Sequence, residues 1–339
     1  MQPQAYSDTT FPAAKKTISA FSLINDQLDH VRKLINDQLA VSSKGGDINL
    51  LFEHLHGRSG KMIRPGLVLL AGKCFGKITD EHIRVAAIIE MVHNATLLHD
   101  DVIDEGKTRR GRPTINKLWG NESAVLLGDY LLSRVFSLCT ELPTWVARTI
   151  ACAATRVCEG ELRQVTQKQN SQLSESEYIE IITEKSAVLF SSCCKLGALL
   201  SQANEQQAES LSNFGLNIGI AFQIIDDLLD ITGDEDKTGK TLGTDMNKHK
   251  LTLGAIHLLK NSDTKKKALL ADFYSNAKQT QIDKDILAEM LSSHGSLEYA
   301  HSRAQEYIDK AVLALTDLKK SEAKEALIAT AKFVADRAV

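Results

Sequence analysis

The chain has 339 residues, with 40 Lys plus Arg against 43 Asp plus Glu and a formal net charge of −3. Hydrophobic residues make up 43% and charged residues 24%, the balance of a globular chain and not of a disordered one. No long basic tract is present to release phosphate counterions, which argues against general nucleic-acid binding, although local basic clusters can still hold small phosphates. The first 18 residues show no basic start followed by an apolar run; they read as a loose arm ahead of a body spanning 19–339. Only five prolines occur, none after Pro143. Long proline-free segments with apolar residues every three or four positions read as helices. The spacing predicts a helix over 80–104, with Asp80 as N-cap and Ile83, Ala87, Met91, Asn94 and Leu98 on one stripe. Another starts at Ser174, where Glu177 completes an S-x-x-E capping box. A third covers 205–231, and 285–339 reads as amphipathic helices broken near Gly295 and Ser321. The expected fold is all-α, in one domain. No segment is long and apolar enough to span a bilayer. The six cysteines form no C-x-x-C pair or metal-finger spacing, so a reducing, cytoplasmic setting is expected.

Two polar loops, 105–114 and 232–250, interrupt the helices, and each follows an acidic cluster. Asp100-Asp101-Val102-Ile103-Asp104 and Asp226-Asp227-Leu228-Leu229-Asp230 share the form D-D-x-x-D. Positions i and i+4 lie on one helix face, so Asp100 converges with Asp104 and Asp226 with Asp230. Like charges so placed are unfavourable without a cation. One such cluster is equally well an exposed acidic helix end. With 23 Asp in the chain, random composition yields about 0.1 such motifs, so the pair is a strong signal. Hard oxygens at this spacing suit Mg²⁺, which takes one or two carboxylates plus substrate phosphates and water. Arg109, Arg110 and Lys240 follow the clusters, and Lys61 and Arg64 lie one turn apart upstream. Arg grips phosphate through a planar fork and Lys as a point charge. Acidic clusters flanked by fixed cations describe a site for two diphosphates. His93, two turns before Asp100, can donate to one of them or be a satisfied buried histidine.

These residues carry a family resemblance. From about Leu51 onward the chain resembles the trans-type (head-to-tail) polyprenyl diphosphate synthases. The matching segments are G-K-M-I-R-P (60–65), H-N-A-T-L-L-H-D-D-V-I-D (93–104), R-R-G (109–111), L-L-G-D-Y-L-L (126–132) and G-E-L-R-Q (160–164). E-K-S-A-V-L-F (184–190), F-Q-I-I-D-D-L-L-D (222–230), T-G-K (238–240) and G-T-D (243–245) complete the series. The resemblance implies a helical bundle around a deep cavity, a homodimer, and condensation of isopentenyl diphosphate with an allylic diphosphate. It implies that Asp100, Asp104 and Asp226 hold three Mg²⁺ ions on the allylic diphosphate, supported by Asp101, Asp227 and Asp230. Arg109, Lys185, Lys240 and Lys250 would grip that diphosphate, with Gln223 near the reacting carbons. Lys61, Arg64, His93 and Arg110 would bind isopentenyl diphosphate. Asp245 and Lys250 belong to a closing loop in which His249 and Gly254 replace the family's usual glycine and proline, so its backbone is expected to differ.

Product length should be set by the turns before Asp100. Short-chain members place bulky aromatics at the positions of Ala95 and Thr96, so small residues there imply an open tunnel, with Met91, Val92 and the facing Leu132 and Phe136 as the stop. A long all-trans product of roughly C30 to C50 is expected, resembling quinone side-chain synthases. A farnesyl- or geranylgeranyl-length product, a non-catalytic partner subunit and a terpene cyclase remain as alternatives. No transmembrane anchoring is expected, only peripheral membrane contact for product release.

Overall fold

The computed structural model describes residues 19–39, 46–56, 60–235, 241–275 and 282–336. The arm expected over 1–18 and the cation expected at Lys240 lie outside the described residues. After a 3-10 turn (Ser19–Ile24) come α1 (Asn25–Leu39), α2 (Gly46–His56), α3 (Ile63–Lys73) and α4 (Asp80–Ile103). A two-residue hairpin, β1 (Thr108–Arg109) and β2 (Arg112–Pro113), leads to α5 (Ile115–Cys139) and α6 (Thr144–Thr166). Next are α7 (Glu175–Ile182), a π-turn (Thr183–Ala187), α8 (Val188–Leu200) and α9 (Glu205–Thr232). The C-terminal part holds α10 (Thr244–Asn247), α11 (Leu253–Asn261), α12 (Thr264–Ser275), α13 (Lys284–Ser293), α14 (Ser296–Ala314) and α15 (Glu322–Ala335).

The all-α expectation holds. Helix α3 is buried from Ile63 through Gly72, as a helix apolar all round must be. Helix α8 packs against α3 on one side and α9 on the other, α4 lies against α3 and α5, and α14 covers α9. One continuous set of buried side chains runs from Phe21 to Val334. This interior fixes α4 and α9, the two helices that carry the aspartate clusters.

The local signals place the helix ends well. The Ser174 hydroxyl accepts from Glu177 N (3.3 Å) and the Glu177 carboxylate accepts from Ser174 N (2.8 Å), closing the expected box. Gly295 takes φ 65 ahead of α14, and the Ser321 hydroxyl accepts from Lys324 N (3.2 Å) at the start of α15. At α4 the cap is Thr79, one residue before the expected Asp80. The buried His82 ring accepts from Thr79 N at 3.2 Å, so an imidazole does the work expected of a carboxylate.

The π-turn opens the helical chain between α7 and α8 where Lys185 sits, and such one-turn widenings recur at functional sites. Helix α6 can approach it because residue 160 is glycine: a Cβ there would stand 2.4 Å from Lys185 N and 2.8 Å from Glu184 Cβ. Gly160→Ala is therefore expected to cost about 1–3 kcal/mol, as overpacking does, read as a lower urea midpoint. Gly76→Ala, which meets nothing within 4 Å, should leave the midpoint within error. Equal midpoints for both variants would contradict the close approach.

Candidate active site

Both aspartate clusters sit on the last turns of their helices, α4 and α9. A helix C-terminus carries partial negative charge, so acids there are placed against the dipole as well as against one another. The consequence is visible at Asp100. Burial pushes its carboxyl up to about 6, and Glu161 and Asp104 push the same way while Lys185 and Arg109 oppose them. Asp104 is the C-cap of α4.

Not every aspartate faces the same way. Asp101 is only 2% exposed. It accepts from Arg109 Nε at 2.7 Å and its carbonyl accepts from Asn116 Nδ2 at 2.9 Å, so it anchors the hairpin that follows. Asp227, also buried, accepts from the Tyr178 hydroxyl and from Gln223 Nε2, both at 2.8 Å. Burial raises its pKa despite these donors. Asp230 accepts from Asp245 N (3.0 Å) and the Thr244 hydroxyl (3.1 Å), which fastens α10 to the end of α9. Asp100, Asp104 and Asp226 are partly exposed. Thus the middle aspartate of each motif, and Asp230, hold the frame that the others project from.

The loops after the two clusters are tied together. Thr108 N donates to the Thr241 hydroxyl (3.1 Å) and Thr241 N donates to the Thr108 carbonyl (3.2 Å). Lys248 Nζ meets Glu105 at 2.8 Å on the outside. Lys250 Nζ donates to Asp245 at 3.0 Å and lies 3.5 Å from Asp227. Burial alone would lower its ammonium pKa; Asp227 and Asp245, with Asp104 from the other cluster, reverse that and raise it. One cation therefore feels both acidic ends.

Lys185 makes a second link. Its ammonium is 2.5 Å from Glu161 of α6. Burial opposes its charge, but Asp100 and Glu161 outweigh burial and hold the pKa above the ordinary lysine value. Gln223 accepts from the Ser186 hydroxyl at 2.7 Å while donating to Asp227, which fixes its amide. Glu161 was not singled out from sequence, because a glutamate inside a helix reads as solvated surface; only its place in the G-E-L-R-Q segment marked it.

A separate basic group lies behind α4. Arg64 is 8% exposed and stacks 4.4 Å from the Phe190 ring centroid, while Lys61 Nζ lies 4.8 Å from that of Phe333. The Arg110 guanidinium covers Gly60, where a Cβ would come within 2.6 Å of it. Burial, then Arg64, Arg110 and Arg109, hold the His93 pKa well below that of a free imidazole. Of the four residues expected on the second diphosphate, Arg64 and Arg110 thus lie near enough to His93 to act on its charge, with Lys61 three residues before Arg64.

Of the tunnel residues, Ala95 and Met91 are fully buried and Thr96 bonds back to the His93 carbonyl at 2.9 Å. At 100° per residue, Thr96 shares Asp100's side of α4 whereas Met91 lies opposite. Met91 instead lines a cavity of about 140 Å³ with Ile35, Leu39, Leu98 and Leu131. Phe136, expected to face α4, is 70% exposed: α5 turns Leu127, Leu131 and Val135 inward instead. His249 adopts φ 52, the left-handed backbone a glycine would take freely. Its ring lies 4.7 Å from that of Phe273, so the substituted loop still delivers Lys250 to Asp227.

Among the described residues no three acidic, His or Cys side chains converge to hold a cation alone. Mg²⁺ typically takes only one or two carboxylates, with phosphate and water filling its other positions. A helical frame in which the loops after two acidic helix ends are bonded together, with Lys185, Lys250 and Arg109 beside the acids, is the arrangement of a helical synthase of diphosphate esters. The profile of the polyprenyl synthetase family matches residues 47–291. Octaprenyl diphosphate synthase of Escherichia coli is 34% identical over 291 residues, 86% of this chain and 90% of that one. The short chain isoprenyl diphosphate synthase of Methanothermobacter thermautotrophicus is 33% identical over 290 residues, 84% of this chain and 89% of that one. A polyprenyl synthase from Caulobacter crescentus, crystallised with calcium and isoprenyl diphosphate, superposes with a TM-score of 0.90 at 32% identity, over 96% of this chain and 100% of that one. The chain belongs to the polyprenyl synthetase family, and its activity is that of a trans-prenyltransferase.

The raised Asp100 pKa makes a stability prediction for the metal-free protein. Native Asp100 holds its proton to about pH 6, against 3.8 for an ordinary aspartate, so between those values the native state binds more protons than the unfolded one and stability falls as pH rises. Asp100→Asn should raise the stability of metal-free protein at pH 7 by on the order of 3 kcal/mol. The gain should vanish below about pH 4. Denaturant titrations at the two pH values test this; equal midpoints of wild type and variant at pH 7 would contradict it.

Proposed function

We propose that the chain is a Mg²⁺-dependent enzyme that joins isopentenyl diphosphate to an allylic diphosphate and makes a long all-trans polyprenyl diphosphate. The observations that support it are that Lys250 meets Asp227 and Asp245 while Asp104 of the other cluster also raises its pKa, and that the loops after both clusters bond to each other at Thr108 and Thr241. Asp100, Asp104 and Asp226 would hold the metal; bound there, Mg²⁺ supplies positive charge to the departing diphosphate. Lys185, Lys250, Arg109 and Lys240 add fixed cations to the same group, so developing charge meets preorganised partners. Lys61, Arg64, His93 and Arg110 would hold isopentenyl diphosphate on the other side, which brings its alkene to the allylic carbon. His93, being neutral, contributes a hydrogen bond without repelling its arginine neighbours. Gln223, fixed by Ser186 and Asp227, lies where it can orient the reacting carbons.

The small side chains of Ala95 and Thr96 support a product of roughly C30 to C50. A shorter product is the second reading, favoured by the near-equal likeness to a short-chain synthase. Chromatography of products made from isopentenyl diphosphate and an allylic primer decides between them, and a farnesyl or geranylgeranyl end-product would reject the long-chain reading. Thr96→Phe, on Asp100's side of α4, is expected to shorten the product by at least one isoprene unit; an unchanged distribution would move the stop elsewhere. Asp100→Ala and Asp226→Ala should each lower turnover by orders of magnitude with the far-UV spectrum intact. Near-normal activity of either would remove the metal assignment.

We also propose a homodimer. Val125, Leu126 and Phe136 follow the break at Gly120 on α5, and Leu126 and Phe136 are 67% and 70% exposed, with Leu162 of α6 at 65%. A second copy of the same face would bury them. No described helix is long and apolar enough to cross a membrane, and all six cysteines are free, which supports a cytoplasmic enzyme with only peripheral membrane contact.

A further inference from the structure

Glu105 and Lys248 take no part in the chemistry above, yet they join its two halves. Glu105 directly follows Asp104, the C-cap of α4, and Lys248 is the C-cap of α10. The two ends meet across 143 residues of chain, where Lys248 Nζ donates to Glu105 Oε1 at 2.8 Å. Glu105 holds φ 53, a left-handed conformation in which helix exits usually carry glycine. A glutamate there accepts backbone strain, and its side chain is what reaches the opposite loop. His249, next to Lys248, holds φ 52, so both ends of the bond stand at left-handed helix exits. The lysine side chain is 26% exposed and the glutamate 81%, which puts the bond at the surface.

The groups read above as holding the allylic diphosphate lie immediately beside this bond. Asp104 precedes Glu105; Lys250, two residues past Lys248, donates to Asp245 and lies 3.5 Å from Asp227. The paired Thr108–Thr241 bonds join the same two loops further along.

A long-chain synthase has to keep its intermediate through every addition, whereas a single condensation does not. We propose that Glu105 and Lys248 form a clasp that sets product length by retaining the growing allylic diphosphate between additions. The proposal rests on the reading of the chain as a synthase that repeats the condensation. An exposed ion pair shifts an equilibrium by about fivefold at most, which matters little for one step. Repetition amplifies it. If about one intermediate in twenty escapes per addition, fivefold faster escape cuts the full-length share after about five additions from about three quarters to about one third. A weak clasp also suits the task, since a tight one would hold the finished product as well.

Two readouts test the clasp: the product distribution, and the escape of a labelled C15 allylic diphosphate chased from the enzyme by unlabelled excess. Lys248→Met keeps the stem of the side chain and removes its charge. It is expected to shorten the mean product by about one isoprene unit or more and to speed escape about threefold to fivefold, with the rate of the first condensation within about twofold of wild type. Glu105→Gln should do the same, and the double variant no more than either single one, because the two side chains act as one bond. For a wild type that makes a long product, a change in only one readout or in neither in folded Lys248→Met overturns the proposal. A double variant whose product is shorter than that of both single variants overturns it too. If Lys248→Met fails to fold, Glu105→Gln decides by the same two readouts. A wild type that stops at C15 or C20 removes the long-chain reading, and the escape rates then judge the clasp alone: faster escape from the variant supports it, and equal escape overturns it.

Discussion

The structure depends on joining the loops that follow two acidic helix ends. Each D-D-x-x-D cluster sits where the helix dipole is already negative, and the loops after the clusters are tied together by the reciprocal Thr108–Thr241 bonds. Packing of α4, α3, α8 and α9 into one core holds them there. Metal-free, the arrangement is strained electrostatically, and burial of Asp100 sets the size of that strain. Such a site has little use without a cation, and it leaves coordination positions that a diphosphate can fill.

Within each cluster the labour is divided by burial. Asp101, Asp227 and Asp230 spend their lone pairs on Arg109, Tyr178, Gln223 and the amides of α10. These bonds orient the hairpin, the closing loop and the Gln223 amide. Asp100, Asp104 and Asp226 stay partly exposed. The cations follow the same division. Lys185 and Lys250 are held by Glu161, Asp245 and Asp227 near the acids, whereas Arg64 rests on Phe190 and Arg110 covers Gly60.

Much of this was legible in the sequence where the signal was local. The Ser174–Glu177 box, the breaks at Gly295 and Ser321, and the two aspartate motifs are short-range patterns whose physics acts within one or two helical turns. What escaped was long-range. The Thr108–Pro113 hairpin is too short for strand periodicity, and a π-turn leaves no mark in an apolar pattern. Glu161 looks like a surface glutamate until the fold brings Lys185 to it. Phe136 misled for the same reason: its helix is amphipathic twice over, and periodicity does not say which apolar face meets the core. His249 also shows a limit of residue-type reasoning, since the protein keeps a left-handed turn there without glycine by resting the ring on Phe273.

The most direct test of the central claim, that the two acidic ends act on one diphosphate, is a double-mutant cycle on turnover at Asp100 and Asp226, each changed to Ala singly and together. If both acids serve one metal-bound diphosphate, the second substitution should cost little once the first has been made, so the double variant should be nearly as active as the worse single one. Losses that multiply in the double variant would show two independent sites and contradict the account.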